Sequence, residues 1–474
     1  MKHTADVTIV GAGPVGSLLA VVLADFGLQV VVVERDLAPY ALPRAAVMDD
    51  EIQQVFHAHG LGERLRAITT PMKGADFATP TGERILGIDL PESGPLGLPL
   101  VVSHFQPELD AMVQQEAEAR GALLLRGRTA SSLEQRDGVR IVLDDASTVE
   151  SRWLVGCDGA SSWTRRTVGL TLEDLGFDQQ WLVVDTELLP GSTAVLPDVT
   201  RQVCDPARPT TFVPGHARYR RWEFQMQPDD DVEQCASESG IWRLLDGWIT
   251  PHDARLVRSA VYRFHAVVAP QWRAGNVFLA GDSCHQMPPF LGQGLNSGSR
   301  DAVNLAWKLA LVHRGLAHDR VLDTFTSERV PHVRSTVEHA VDTGRLIDQL
   351  AGRESHGVDR SAGYGGTRPQ PILGPGVLVP GHPWVGHPLK FCPEIVTALD
   401  ANTPTFAIVS RDAVRVPDSF AGLRVVQVRA EPAVTDGHHA VIVRPDRYVA
   451  AVVTDPNDLE QATRTLTGAL RPTS

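Results

Sequence analysis

The chain has 474 residues, 43% hydrophobic and 21% charged, with a net charge of −13. That length fits two to four domains, and the acidic balance argues against a nucleic-acid-binding surface. Met1-Lys2-His3-Thr4 leads straight into a strand rather than a cleavable apolar region, and no apolar run is long enough to span a bilayer, so no membrane partner is expected and the location should be cytoplasmic.

Residues 5–10 form an apolar-rich strand that runs into Gly11-Ala12-Gly13-Pro14-Val15-Gly16, and residues 17–26 read as a helix. Gly11 permits a tight turn, Gly13 lets the backbone approach a pyrophosphate, and Gly16 lets the helix pack on the strand. The helix start, with Pro14, offers free N–H groups and a partial positive charge to an anion. A second strand, residues 29–33, is followed by Glu34 and Arg35. Glu34 is placed to accept hydrogen bonds from an adenosine ribose, where it favours a 2′-hydroxyl over a 2′-phosphate. A strand, a glycine turn, a helix and a downstream acid together point to a dinucleotide, FAD or NAD.

Further on, residues 77–102 suggest a hairpin, and Trp153 to Gly159 a strand that ends in Asp158-Gly159. Alone, that Asp-Gly is a turn signal. Residues 181–272 alternate and are β-rich, with 218–226 and 257–268 the clearest strands, and read as a sheet inserted into the cofactor domain. The strand at 276–280 leads into Gly281-Asp282-Ser283-Cys284-His285 and then Pro288-Pro289-Phe290-Leu291-Gly292-Gln293-Gly294. Asp282 therefore lies at a strand's carboxyl end, where its carboxylate suits ribityl or ribose hydroxyls. Pro288 and Pro289 stiffen the backbone, while Gly292 and Gly294 leave room for a flat ring. A helix starting near Leu295-Asn296 points its N-terminus at that ring, where amides and a helix dipole stabilise negative charge.

A helical region from Ser299 to about Ala351 should break near Val330-Pro331. The Gly- and Pro-rich stretch within 353–390 reads as a linker or irregular wrap, and residues 391–474 as a small α/β unit. Its strands are expected at 405–409, 423–428, 440–443 and 449–453, before a final helix at 457–470. The five cysteines, Cys157, Cys204, Cys235, Cys284 and Cys392, lack metal-ligand or redox spacing. Free thiols and no metal are expected.

The three cofactor segments, in this order and spacing, resemble the class A flavoprotein aromatic hydroxylases. Pro43-Arg44-Ala45, the stretch 177–185 and His285-Gln286-Met287-Pro288-Pro289-Phe290 bring the resemblance closest to the 3-(3-hydroxyphenyl)propionate and polyketide hydroxylase type. It covers nearly the whole chain. It implies an α/β fold: a Rossmann-like FAD-binding domain (1–180 and 270–352), an inserted β-sheet substrate domain (181–269) and a thioredoxin-like C-terminal domain. It also implies flavin contacts at Arg44 and Gln106 and a pyrophosphate and nicotinamide role for Asp158-Gly159. The tail, lacking Cys-x-x-Cys, is read as structural or oligomer-forming, with a homodimer open to it.

The activity so implied is monooxygenation. NADPH or NADH reduces FAD, O2 adds at C4a, and the resulting hydroperoxide hydroxylates an electron-rich, phenolic or polycyclic ring. A general base should lie near the phenol; Tyr262, His265 and His285 are the candidates, and Pro288 lies in the segment against the reacting ring. Epoxidation, Baeyer–Villiger oxidation of a polycyclic metabolite, and a non-catalytic flavin-binding role remain alternatives.

Overall fold

The computed structural model describes residues 1–352, 370–389, 392–399, 402–420 and 422–471; much of the expected linker, residues 353–369, lies outside them. Three layers of structure position the site: a mostly parallel sheet, an antiparallel sheet standing over its carboxyl edge, and a C-terminal sheet docked behind.

In the parallel sheet, the strand Lys2–Val10 lies between Thr148–Gly156 and Val30–Glu34, with Val277–Leu279 and Leu123–Arg126 further out on either side. Val30–Glu34 is a near-continuous valine run, and the second half of Lys2–Val10 is buried, because both faces of the sheet are covered there. The helices Pro14–Asp25 and Gly294–His313 bury one face, where Leu19, Val21 and Leu23 meet Leu305, Leu309 and Ala310 in one apolar cluster. Backbone bonds from Gly11 to Val33, Cys157 to Val10 and Ala280 to Gly156 align the three strand ends. All three predicted cofactor segments therefore emerge side by side.

The second sheet has eight strands. Its centre is the long strand Glu173–Leu188, paired on one side with Ala254–Val268 and on the other with Tyr219–Gln225. The hairpin Gly74–Ala78 with Arg84–Asp89 joins its far end through Thr200–Val203, and His285–Gln286 pairs at the near end. Strand pairing thus begins at Glu173, ahead of residue 181, and the hairpin lies at 74–89. On the outer face Leu182, Val184, Trp222 and Phe224 pack with Ile241 of the helix Glu238–Leu244. The odd positions of the central strand, Trp181, Val183 and Asp185, share the opposite, inner face.

The long helical region differs from the sequence expectation. It is two helices, Gly294–His313 and Thr324–Leu350, and the second runs through Pro331 without stopping. The break falls instead after His313, where Gly315 adopts φ +68°. The segment after residue 370 packs against the proline: Gly374 N–H donates to Glu328 O at 2.9 Å, and a Cβ at Gly374 would lie 2.8 Å from Pro331 Cγ. The C-terminal strands Thr405–Ser410, Arg424–Arg429, Ala440–Val443 and Val449–Val453 form one four-stranded mixed sheet, followed by the helix Leu459–Leu470. No helix among the described residues is long and apolar enough to cross a membrane.

Candidate active site

Gly11 carries φ +103°, and a Cβ there would sit 2.4 Å from Cys157 O. At Gly16 the same atom would come within 2.0 Å of Gly11 O. These two glycines are thus required by packing, whereas a Cβ on Gly13 meets nothing within 4 Å. Gly13 borders open space at the start of the helix Pro14–Asp25, whose first-turn amides lack intrahelical acceptors. Glu34 fixes the loop: its Oε2 accepts from Ala12 N at 2.6 Å and its Oε1 from Asp36 N at 2.9 Å. Gln114 Nε2 and Ser17 Oγ hold Ala12 O at 2.8 and 2.9 Å. The Arg35 side chain is exposed beside Asp36.

Ser162 caps the short helix Trp163–Thr167, and Asp158 braces it, with Oδ1 accepting from Ser162 Oγ at 2.5 Å and Oδ2 from Thr164 N at 2.8 Å. The adjoining Gly159 is left-handed and open to space. Asp282 is exposed on the turn Gly281–Ser283 at the end of the strand Val277–Leu279. Pro288 and Pro289 enter a second turn that ends at Gly292, φ +63°, and a Cβ on Gly292 would meet Val47 Cγ2 at 2.1 Å. Gly294 opens the next helix with free space at its own Cβ, and Leu295 and Asn296 are buried in its first turn. Asn296 spans the turn, donating to Gly292 O at 2.7 Å and accepting from Asp49 N at 2.9 Å.

Gln106 holds the Pro43-Arg44-Ala45 loop: its Oε1 accepts from Arg44 N at 3.0 Å and Ala45 N at 2.6 Å. The Arg44 guanidinium lies over the Tyr40 ring, 5.2 Å from its centroid.

His285 does not face the inner sheet surface. Its ring is fully buried and its Nε2 lies 2.8 Å from Asp301 Oδ2, while Asp301 Oδ1 accepts from Arg329 Nε at 2.9 Å. A strand pairing only two residues long turns this side chain into the helix layer, against Asp301. Cys284, His285 and Asp301 come within metal-ligand range of one another, but the guanidinium and Gly281 N–H already satisfy that carboxylate. His265 is exposed on the strand Ala254–Val268, on the face opposite Tyr262 and Phe264. Of the three base candidates, Tyr262 is the one on the inner face, directly paired to Trp181. Around it Trp181 and Phe264 contact Phe290 at 5.3 and 6.3 Å between ring centroids. The aromatic part of the inserted sheet is thereby packed on the Pro288–Gly292 segment.

Two polar groups escaped the sequence reading. In the first, Arg300 donates to Glu51 Oε2 at 2.8 Å, Asp49 Oδ2 at 2.9 Å and Gln293 Oε1 at 3.2 Å. This clamps the helix Gly294–His313 to the strand Val47–Asp49. In the second, on the inner sheet face, Arg221 donates to Asp185 Oδ1 at 2.7 Å, Arg44 O at 2.6 Å and Pro43 O at 3.1 Å. Arg258 also donates to Pro43 O. Glu223 completes this group; burial, reinforced by Asp185 and opposed by Arg221, pushes its carboxyl up to about 7. The available signal was charge at alternate, inward positions of otherwise apolar strands.

Residues 4–340 match the model of the FAD binding domain family. The chain belongs to that family. The chain thus carries an FAD-binding domain, and the open space at Gly13 beside the helix start fits such a group. A probable NADH-specific resorcinol 4-hydroxylase of Rhodococcus jostii is 38% identical over 354 residues, covering 73% of this chain and 66% of that protein. A 3-(3-hydroxyphenyl)propionate/3-hydroxycinnamic acid hydroxylase of Escherichia coli is 37% identical over 356 residues, covering 73% and 63%. The chain therefore spans slightly less than two thirds of the length of these relatives. Among solved structures, the flavin-dependent monooxygenase PieE in complex with FAD and substrate superposes with a TM-score of 0.81 at 23% identity, covering 98% of this chain and 99% of that one. Anhydrotetracycline hydroxylase OxyS of Streptomyces rimosus gives 0.79 at 24%, covering 98% and 99%. At such identities the likeness is one of fold.

Proposed function

We propose that this FAD-binding protein is a monooxygenase that uses NADH or NADPH and O2 to hydroxylate a phenolic ring. The observation that carries the reading is the packing of Trp181 and Phe264, on the inner face of the inserted sheet, against Phe290 of the Pro288–Gly292 segment, with Tyr262 stacked on Phe264. A planar aromatic substrate fits such a surface, because rings gain from stacked and edge contacts with other rings. The hydroxylase names of the two relatives favour the same chemistry.

FAD, when bound, supplies electron transfer and oxygen activation. The chain's own residues would do the rest. Gly13 and the helix Pro14–Asp25 would receive the pyrophosphate, and Glu34 the adenosine ribose. The amides opening the helix Gly294–His313 would stabilise negative charge on the reduced ring. Arg221 and Arg258 hold the Pro43–Arg44 loop against the sheet by its carbonyls, which fixes the distance between cofactor domain and substrate surface. Hydroxylation is favoured over epoxidation or Baeyer–Villiger oxidation because both relatives bear the names of hydroxylases of phenolic rings.

The test is anaerobic stopped-flow reduction of the FAD-loaded protein by NADH and by NADPH, with and without resorcinol and 3-(3-hydroxyphenyl)propionate. Flavin bleaching accelerated by one phenol, and aerobic formation of a product one oxygen atom heavier, are expected. Absence of bleaching with either nucleotide and any phenol would overturn the proposal in favour of a non-catalytic flavin-binding role.

A further inference from the structure

The inner face of the inserted sheet is graded in side-chain height. Strand register places Tyr262, Trp181 and Gln225 in one row, and Arg258, Asp185 and Arg221 in another. Between them runs a row of Ala260, Val183, Glu223 and Thr211. Its other members are short, so Glu223 stands alone as a long ionisable side chain on the floor between two taller walls.

Glu223 has no structural task that explains its burial. It is 5% exposed, yet its carboxylate accepts no hydrogen bond among the described residues. Its ion partner, Arg221 Nη1, is 4.0 Å away. Arg221 is already engaged by Asp185, through Nε and Nη2, and by the carbonyls of Pro43 and Arg44. Thr211, the neighbour on the other side, gives its hydroxyl to Gln202 Oε1. A buried carboxyl held only by a distant ion partner, with no hydrogen bond, is costly unless something else compensates it, and a perturbed group beside a ligand surface is a candidate functional residue.

We propose that Glu223 binds the phenolic hydroxyl of the substrate and accepts its proton. This rests on the phenol-hydroxylase reading above and deepens it by naming the base. The phenol O–H bond breaks, its proton forms a new O–H bond on a Glu223 oxygen, and the electron pair stays with the ring as phenolate. After oxygen transfer the ring carbon that received oxygen loses its hydrogen to water, and Glu223 returns its proton to the ring oxygen. Glu223 therefore ends the cycle unchanged.

The charged and titratable groups around it are Arg221 on its own strand, Asp185 on the central strand, and Arg258 and Tyr262 on the strand beyond. From the cofactor domain come Tyr40 and Arg44 near Arg258, and His104, buried in the field of Arg221. His104 is pushed down to about 3 by burial and by Arg221, so it stays neutral through the working range. Glu223, at about 7, is the group here that changes state there.

The experiment uses the FAD-loaded, oxidised protein and ultraviolet difference titrations of resorcinol and of its dimethyl ether from pH 5.5 to 9. In the wild type, resorcinol should bind with a pH inflection near 7 and a phenolate-like red shift above it, and the ether with neither. Glu223→Gln should abolish inflection and red shift and lower the hydroxylation rate by about 100-fold, at the low end of general-base effects; Glu223→Asp should restore part of both. An unchanged pH profile and rate in Glu223→Gln, with a wild type that turns over, overturns this assignment and leaves the phenol-hydroxylase reading standing. If the wild type neither bleaches with nor hydroxylates any phenol, both fall. Should Glu223→Gln fail to bind FAD, the wild-type comparison decides, and identical pH profiles for phenol and ether overturn the proposal.

Discussion

Asp110 shows at the scale of one residue how the Pro43-Arg44-Ala45 loop is held. It is 2% exposed in the helix Gln106–Ala119, and burial pushes its carboxyl up to about 7, against a smaller opposing effect of the bond from Gln106 Nε2 at 3.2 Å. Gln106 in turn holds the amides of Arg44 and Ala45. A carboxyl whose folded pKa lies above its unfolded value favours the fold only while protonated. That contribution is complete below the unfolded value of 3.8 and is lost as pH rises towards 7. Asp110→Asn keeps an acceptor for Gln106 and removes the titration. It should therefore leave stability near pH 4 unchanged and raise it at pH 8 by up to about 4 kcal/mol, from 1.36 kcal/mol per pKa unit. Urea melts at the two pH values check this; an equal shift at both would show that titration is not the cause.

At the scale of elements, the glycine loop separates packing from binding. Gly11→Ala forces a Cβ against Cys157 O at a positive φ, so it should destabilise the apoprotein itself. Gly13→Ala meets open space and should melt like the wild type yet bind FAD at least about tenfold more weakly, a loss of about 1.4 kcal/mol. Thermal melts of the apoproteins with FAD fluorescence titrations distinguish the two; a Gly13→Ala protein with wild-type affinity would place the pyrophosphate elsewhere. Such elements were legible in sequence because their signals are local. A strand, three glycines and a helix lie within 25 residues, and the turn at Gly292 precedes its helix directly. Long-range pairing was not legible. Asp185, Arg221, Glu223 and Arg258 lie on three strands, and only their register across Glu173–Leu188 brings them to one face. The setting of His285 against Asp301 was not legible for the same reason: sequence proximity to the Gly281–Gly294 segment says nothing of which layer a two-residue strand turns its side chain into. Pro331 read as a break because the segment packed against it, at Gly374, lies 43 positions further along the chain.

For the whole molecule, the decisive interface is the one that docks the C-terminal sheet on the FAD-binding body. Arg444, fully buried, donates to Glu328 Oε2 at 2.8 Å and Asp446 Oδ1 at 2.9 Å, and lies over the Trp307 ring at 5.0 Å. Lys308 Nζ meets the same Glu328 oxygen at 2.8 Å, and Trp307 Nε1 donates to Asp446 Oδ2 at 3.1 Å. Two cations and two carboxylates balance, with hydrogen bonds throughout, which is the condition under which a buried ionic cluster does not simply destabilise. Close by, the Tyr448 hydroxyl donates to Glu51 Oε1 at 2.5 Å, and Glu51 is held by Arg300, which also grips Asp49 and Gln293 at the start of the helix Gly294–His313. The tail is thus wired by a continuous chain of bonds to the start of the helix Gly294–His313. Arg444→Met removes one cation and leaves two carboxylates facing one lysine, so it should cost about 3–5 kcal/mol. The double variant Arg444→Met/Glu328→Gln should cost clearly less than the sum of its single changes, because each removes the other's stranded charge. Hydrogen exchange should rise in Ala440–Val443 and Val449–Val453 and also in the first turns of Gly294–His313, since the docked tail supports both. Exchange that rises in the C-terminal strands alone would mean that the tail rests on the body without steadying the flavin-side helix, and Tyr448→Phe would then leave FAD affinity unchanged.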